Sequence, residues 1–235
     1  MDLSTMIPEL LSALPLTLAI MFVALAAGFL LALLATTLRV RRVWGLSPLA
    51  DLYVSYARSV PVVLQLFVAF YGLPMLLGLF GIKVDISPTL ASMVGLSLYH
   101  GGYLSEVMRP AYLAVERGQH DAADSMGYTL RQKIVRIAGP QALHIGLPGY
   151  GNAVIYLIHN VALVMYIGAD DVMATAHLIM ERSYNQYQFG TYLVLGVIYS
   201  LLCLIAWLIV RFFELRFSKY TSKTAPTKIK LSASI

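Results

Sequence analysis

Five long apolar runs, 10–38, 59–82, 86–105, 143–169 and 189–210, contain no Lys, Arg, Asp or Glu. About 20 helical residues cross the roughly 30 Å hydrocarbon layer of a bilayer, and a helix pairs every backbone N–H and C=O within itself, as lipid demands. Strands of a membrane barrel would be about half as long and would alternate in polarity, so the runs read as helices. Only 12% of the residues are charged, against roughly 25% in a soluble domain. Several runs hold glycine or proline (Pro15, Gly28, Pro74, Gly95, Pro148, Gly168, Gly196), as membrane helices tolerate. The expected fold is all-α and integral to the membrane: one domain over 10–217 with five spans, followed by a polar tail at 218–235.

Orientation follows from the cations. Arg39, Arg41, Arg42 and Arg58 follow the first run; Arg109, Arg117, Arg131, Lys133 and Arg136 follow the third; Arg211, Arg216 and four tail lysines follow the last. Lys83 and Arg182 alone fall on the other side, so 15 of the 17 basic residues share one face. The positive-inside rule makes that face cytoplasmic, with the N-terminus outside and the C-terminus inside. The net charge of +5 is then explained by contact with anionic lipid headgroups, and no nucleic-acid partner is needed. The opening MDLSTMIPEL lacks the basic segment of a cleavable signal, so the first run is expected to be retained. Cys203 stands alone and reads as packing, and His100, His120, His144, His159 and His177 are too scattered to suggest a metal site. No cofactor is expected. Five spans are few for enclosing a polar path, which implies a partner membrane subunit.

Between the third and fourth runs, 106–142 carries the stretch ERGQHDAADSMGYT. It reads as a short helix preceded by Gly118, with Asp121 in its first turn, where the helix dipole favours an anion, and Gly127 at its C-terminal cap. Gln119, Ala122, Ala123 and Met126 are expected on one face. A second helix, with Ile134, Val135, Ile137 and Ala138 on its apolar side, is expected to stop near Gly139 and Pro140. The first helix is too short to be stable alone. A small-residue face on such a restrained helix suits docking against another protein.

DAADSMG, followed by Ile137, Ala138, Gly139 and Pro140, resembles the EAA loop of bacterial ATP-binding-cassette importer permeases, with Asp121 in place of Glu and Gly139 in place of Leu. The surrounding 96–148 is similar to the polar-amino-acid branch, as is 53–74 with its Arg-x-x-Pro, Gln-Leu and Tyr-Gly-Leu-Pro elements, and FFELRF at the end of the last run also fits. The resemblance implies a type I importer transmembrane domain in the bacterial plasma membrane. Its short helix would be a coupling helix, with Gln119, Asp121, Ala122, Ala123, Met126 and Gly127 meeting a cytoplasmic ATPase dimer. A second permease subunit, the same or a different chain, and an external substrate-binding protein are implied with it. The chain lacks G-x-x-x-x-G-K-[ST], so the nucleotide site belongs to another polypeptide and this chain is not expected to be an enzyme.

Polar side chains inside the runs are costly unless they face protein or water. Asn152, Tyr156, His159 and Asn160 fall on one helical stripe, and the third run offers Tyr99, His100 and Tyr103, the second Gln65 and Tyr71. Two readings stand: a substrate path, or hydrogen bonds between neighbouring helices. Many amino-acid permeases continue the fourth span as Lys-Asp-Thr-Ser-Leu, where this chain has His159-Asn160-Val161-Ala162-Leu163. The fixed cation is gone, and a neutral or zwitterionic amino acid with polar or sulfur-containing bulk, cystine among the candidates, suits Tyr, His and Asn better than an anionic one. Glu106 and Arg109 read as an i,i+3 ion pair, and Arg58 as an interfacial anchor or dimer contact. A proton-coupled carrier using His100 or His159 would lack a carboxylate within a run and would leave the loop unexplained. A scaffold subunit without transport would make the polar stripe mere packing.

Overall fold

The computed structural model describes residues 3–221, with side chains over 5–216. The described residues form ten α-helices and no strand. They are α1 (Leu3–Arg41), α2 (Leu46–Ser59), α3 (Val62–Phe67), α4 (Leu73–Leu79), α5 (Pro88–Leu113), α6 (Arg117–Ser125), α7 (Leu130–Lys133), α8 (Gly139–Val161), α9 (Val172–Arg182) and α10 (Gln188–Thr221). The tail from 222 onward lies outside the described residues, and 218–221 continue the last helix.

Four helical segments are both long and apolar enough to cross a membrane: Thr5–Arg41, Val62–Leu79, Leu130–Ile167 and Gln188–Arg216. The remaining expected span, the third run in α5, has membrane length but carries Ser92, Ser97, His100 and Ser105, all buried. Its polarity is tolerable because α5 is the central helix, clad by α1, α2 and α8. By contrast α10 buries only 6% of its apolar window and leaves its outer face to lipid.

Two spans are helical across a widened π turn, at Val68–Gly72 and at Ile134–Ala138. Each turn comes just before a proline, Pro74 or Pro140. A proline lacks an N–H and its ring crowds the carbonyl four residues back, and one wide turn absorbs both faults without ending the helix. The expected stop at Gly139 and Pro140 therefore does not occur: the path runs unbroken from Leu130 into α8 and on through a 3₁₀ turn to Ile167. The 106–142 loop shrinks accordingly, since α5 reaches Leu113 and the connection proper is 114–129.

Close helix crossings rest on small residues. A Cβ on Gly101 would lie 2.6 Å from the Tyr53 hydroxyl and 2.8 Å from Leu31 Cβ, and one on Gly102 would overlap Ala57 Cβ. These two glycines let α1 and α2 press onto α5, and Tyr53 donates to the Leu98 carbonyl at 2.7 Å.

At the cation-rich end the helices are tied by charge. Arg39 Nε meets Asp51 at 2.7 Å and its Nη1 meets Glu106 at 2.6 Å, while Arg58 binds the other Glu106 oxygen at 2.8 Å. The expected Glu106–Arg109 pair is thus replaced by pairs reaching across α1, α2 and α5, in which Arg58 takes part. Tertiary packing sets Glu106 against two arginines at once, a stronger arrangement than one i,i+3 contact. The Arg39 side chain is only 11% exposed, so Arg39→Ala should cost about 2 kcal/mol, the buried-pair penalty discounted for its more exposed partners. Arg39→Lys should recover little, because one ammonium cannot span two carboxylates as a guanidinium fork does. Thermal unfolding in detergent reads both.

Candidate functional site

The 114–129 connection is built to hold α6 rigidly. Its C-terminal end is a Schellman motif: the Tyr128 N–H donates to the Ala123 carbonyl and the Gly127 N–H to that of Asp124, both at 3.0 Å, with Gly127 at φ +72°. The chain then enters α7 through a capping box between Thr129 and Gln132. Lys133 pairs with Asp124 at 2.6 Å, the His120 ring packs edge-on to Tyr112 with centroids 5.7 Å apart, and Gln141 donates to Gln119 at 3.4 Å. A short helix that could not persist alone is thereby fastened at both ends and along one side.

That side is the side of Ala123, which is fully buried. The expected placement of Ala123 on an exposed face with Ala122 is therefore corrected: Ala123 seats α6 against the protein. The outward face is Gly118, Asp121, Ala122 and Ser125, all exposed, with Gln119 and Met126 at its margin. Gly118 lies inside the helix, and Asp121 follows the first turn, which holds no acid. The helix begins one residue before Gly118, so the dipole argument for Asp121 does not apply.

The intramembrane polar residues do not form a single group. Tyr99, Tyr103, Tyr156 and Asn160 come together where α5 meets α8: Tyr103 lies 6.2 Å from Tyr99 and 5.6 Å from Tyr156 between ring centroids, and Asn160 faces the Tyr99 hydroxyl. Tyr156 is half-exposed and Asn152 exposed, so this face is open in the isolated chain. His159 is also exposed but turns to α10, with Nε2 at 3.5 Å from Cys203 Sγ. Cys203, expected as packing, borders the main apolar core and makes this one polar contact.

Gln65 and His100 do not join the open face. Gln65 is buried and its amide nitrogen donates to the carbonyls of Ala57 (3.0 Å) and Val60 (2.8 Å). Pro61 interrupts the helix there, and the side chain satisfies backbone groups the break would otherwise strand in an apolar setting. His100 is 2% exposed and packs against α1 beside Gly28. Burial in the α1–α5 crossing removes it from any path on the α5–α8 face. Tyr71 is 62% exposed on the second span, away from the cluster.

The residue-by-residue reading missed Asp171, a fully buried carboxylate at the far end of the bundle. It caps α9 by accepting from the Ala174 N–H at 2.9 Å, while the next backbone N–H, of Val172, donates to Thr17 Oγ1 on α1 at 3.0 Å. The Tyr199 hydroxyl of α10 lies beside this carboxyl. An Asp just before a helical run is a readable cap signal, but its burial against α1 and α10 is not visible in one dimension. Burial pushes its carboxyl up to about 6, only partly offset by the backbone N–H groups of Ala174 and Met173. The folded state therefore holds a proton that the unfolded chain has already released, and stability falls as pH rises from about 4 to about 6, by on the order of 2 kcal/mol. Asp171→Asn keeps the capping oxygen and should flatten this slope in unfolding measurements at pH 4.5 and 7.5.

Comparison with known proteins agrees with this architecture. The probable amino-acid permease protein YxeN of Bacillus subtilis is 35% identical over 216 residues, covering 90% of this chain and 92% of that protein. The L-cystine transport system permease protein TcyL of the same organism is 32% identical over 82% of this chain and 80% of its own length. A crystal structure of an amino acid ABC transporter with histidines superposes with TM-score 0.78 at 28% identity, covering 92% of this chain and 99% of that one. The MetNI methionine ABC transporter in an inward-facing conformation shares the fold at 21% identity, TM-score 0.70, with 90% and 98% covered. Residues 24–219 match the family described as binding-protein-dependent transport system inner membrane component, and the chain belongs to it.

Proposed function

We propose that this permease carries amino acids inward through a path completed by a second permease subunit, and that α6 transmits the movements of a separate cytoplasmic ATPase to that path. The observation that supports this most is the outward face of α6, small and acidic on a helix fastened at both ends. A rigid post of this kind transmits displacement, whereas a loose loop would absorb it. The cluster of Tyr99, Tyr103, Tyr156 and Asn160, open at the exposed Tyr156 and Asn152, supports a polar path, since lipid would make exposed polar groups costly. The relatives named for amino acids, one of them for L-cystine, favour the same substrate class, and a site of Tyr and Asn without a fixed cation fits a zwitterion with polar or sulfur-containing bulk. An external binding protein would deliver it, with the N-terminus outside and the cation-rich face, α6 included, in the cytoplasm.

The test is uptake by proteoliposomes holding the chain, its cognate ATPase and the binding protein. Uptake of labelled cystine or another neutral amino acid that needs ATP inside the α6 compartment supports the reading. Uptake driven by a proton gradient without the ATPase, or none with the whole set of amino acids, overturns it.

A further inference from the structure

On the other side of α8 from the polar stripe, the cation-rich half of the bundle contains an apolar groove of about 290 Å³. Phe29, Leu33 and Val40 of α1 form one wall, and Ile134, Leu143 and Tyr150 of the α7–α8 segment form the other. The hydroxyls of Thr36 and Thr37, which also line it, are already engaged, with Ser105 and with the Leu33 carbonyl. Arg41, exposed at the end of α1, stands at the mouth, and among the described residues no acidic side chain lines the groove.

Two lengths decide what fits. From Phe29 to Arg41 a helix rises about 18 Å, and one leaflet of hydrocarbon is about 15 Å deep. The groove thus runs the depth of a single leaflet, apolar along its length and cationic at the headgroup level. On α8, Leu143 and Tyr150 lie nearly opposite the exposed Asn152 around the helix.

We infer that this groove is a binding site for one anionic phospholipid, its acyl chain lying between α1 and the α7–α8 segment and its phosphate on the Arg41 guanidinium. The assignment to the cytoplasmic leaflet rests on the proposed orientation; the site itself does not. One wall belongs to α1 and the other to the segment that follows α6, so a lipid seated there lies between the bundle and the segment that carries α6.

Native mass spectrometry of the full chain, exchanged from phosphatidylglycerol or phosphatidylcholine vesicles into mild detergent, tests this without ATP, ATPase or amino acid, so failure of transport and failure of the lipid site are separate results. The wild-type chain should retain one phosphatidylglycerol in preference to phosphatidylcholine. Arg41→Gln, a change at an exposed side chain that leaves the fold intact, should reduce that preference about fivefold, the equivalent of about 1 kcal/mol per basic group at an anionic surface. Leu143→Trp should fill the groove and lower retention of both lipids. Equal retention of the two lipids by the wild type, no change in Arg41→Gln, or a dimer that Leu143→Trp dissociates with no lipid bound, the mark of a second copy in the groove, would overturn the site.

Discussion

Ala122→Trp should leave the chain folded in the membrane and abolish ATP-dependent uptake, with co-purification of the ATPase reduced about tenfold or more, a loss of at least about 1.4 kcal/mol. Ala122 is exposed on the outward face of α6 between Gly118, Asp121 and Ser125, and an indole there would hold a docking partner off without touching the helix's own seat. Ala123→Trp, one residue on, has a different expected outcome. Its side chain is fully buried, so the bulk would lift α6 from the protein and lower folded yield before any question of docking arises. Gly127→Leu should fall between them, since φ +72° costs an L-residue roughly 1–2 kcal/mol and would loosen the Schellman end. Measuring folded yield, co-purification and uptake on the same preparations separates the three. Undiminished co-purification and uptake in Ala122→Trp would remove α6 from the coupling role.

Gly102→Leu should be the most destabilising single change in the bundle, about 3 kcal/mol or more. Even a Cβ at this position would overlap that of Ala57, and the larger side chain would have no void to enter, as the residue is buried where α2 crosses α5. Overpacking ordinarily costs about 1–3 kcal/mol, but here relief requires moving a whole helix, and moving α2 also strains the Arg39, Asp51, Arg58 and Glu106 pairs. Retention of a monodisperse peak after heating gives the measure. Ala57→Gly in the same chain should restore part of the loss, whereas a Gly102→Leu protein as heat-stable as the parent would mean that the α2–α5 contact is softer than its geometry implies.

Membrane residence, helical class and the short helix between the third and fourth runs were legible in one dimension because they depend on runs and short motifs. An apolar run without charge has few alternatives in lipid, and a Gly following a short helix is read directly as a cap. Helix ends were less legible. The expected stop at Pro140 failed because a π turn offers the backbone a way past a proline.

Side-chain roles divided in the same manner. A helical stripe says which residues share an azimuth but not what lies opposite: Tyr99 and Tyr103 of one run meet Tyr156 and Asn160 of another, while Gln65 and His100, equally polar, are buried in the service of backbone carbonyls and a helix crossing. Glu106 met arginines distant in the chain instead of its i+3 neighbour, and Ala123 turned inward because the fastening of α6 at Tyr112, Lys133 and Gln141 sets its rotation. What the sequence by itself determined was the solvent the chain lives in and the period of its elements, since both follow from composition over a local window. Which face of each helix is buried and which is open was decided only by the tertiary structure, because burial is a property of what packs against a residue and that neighbour is often more than 60 positions away, as Thr36 and Arg39 are from Ser105 and Glu106.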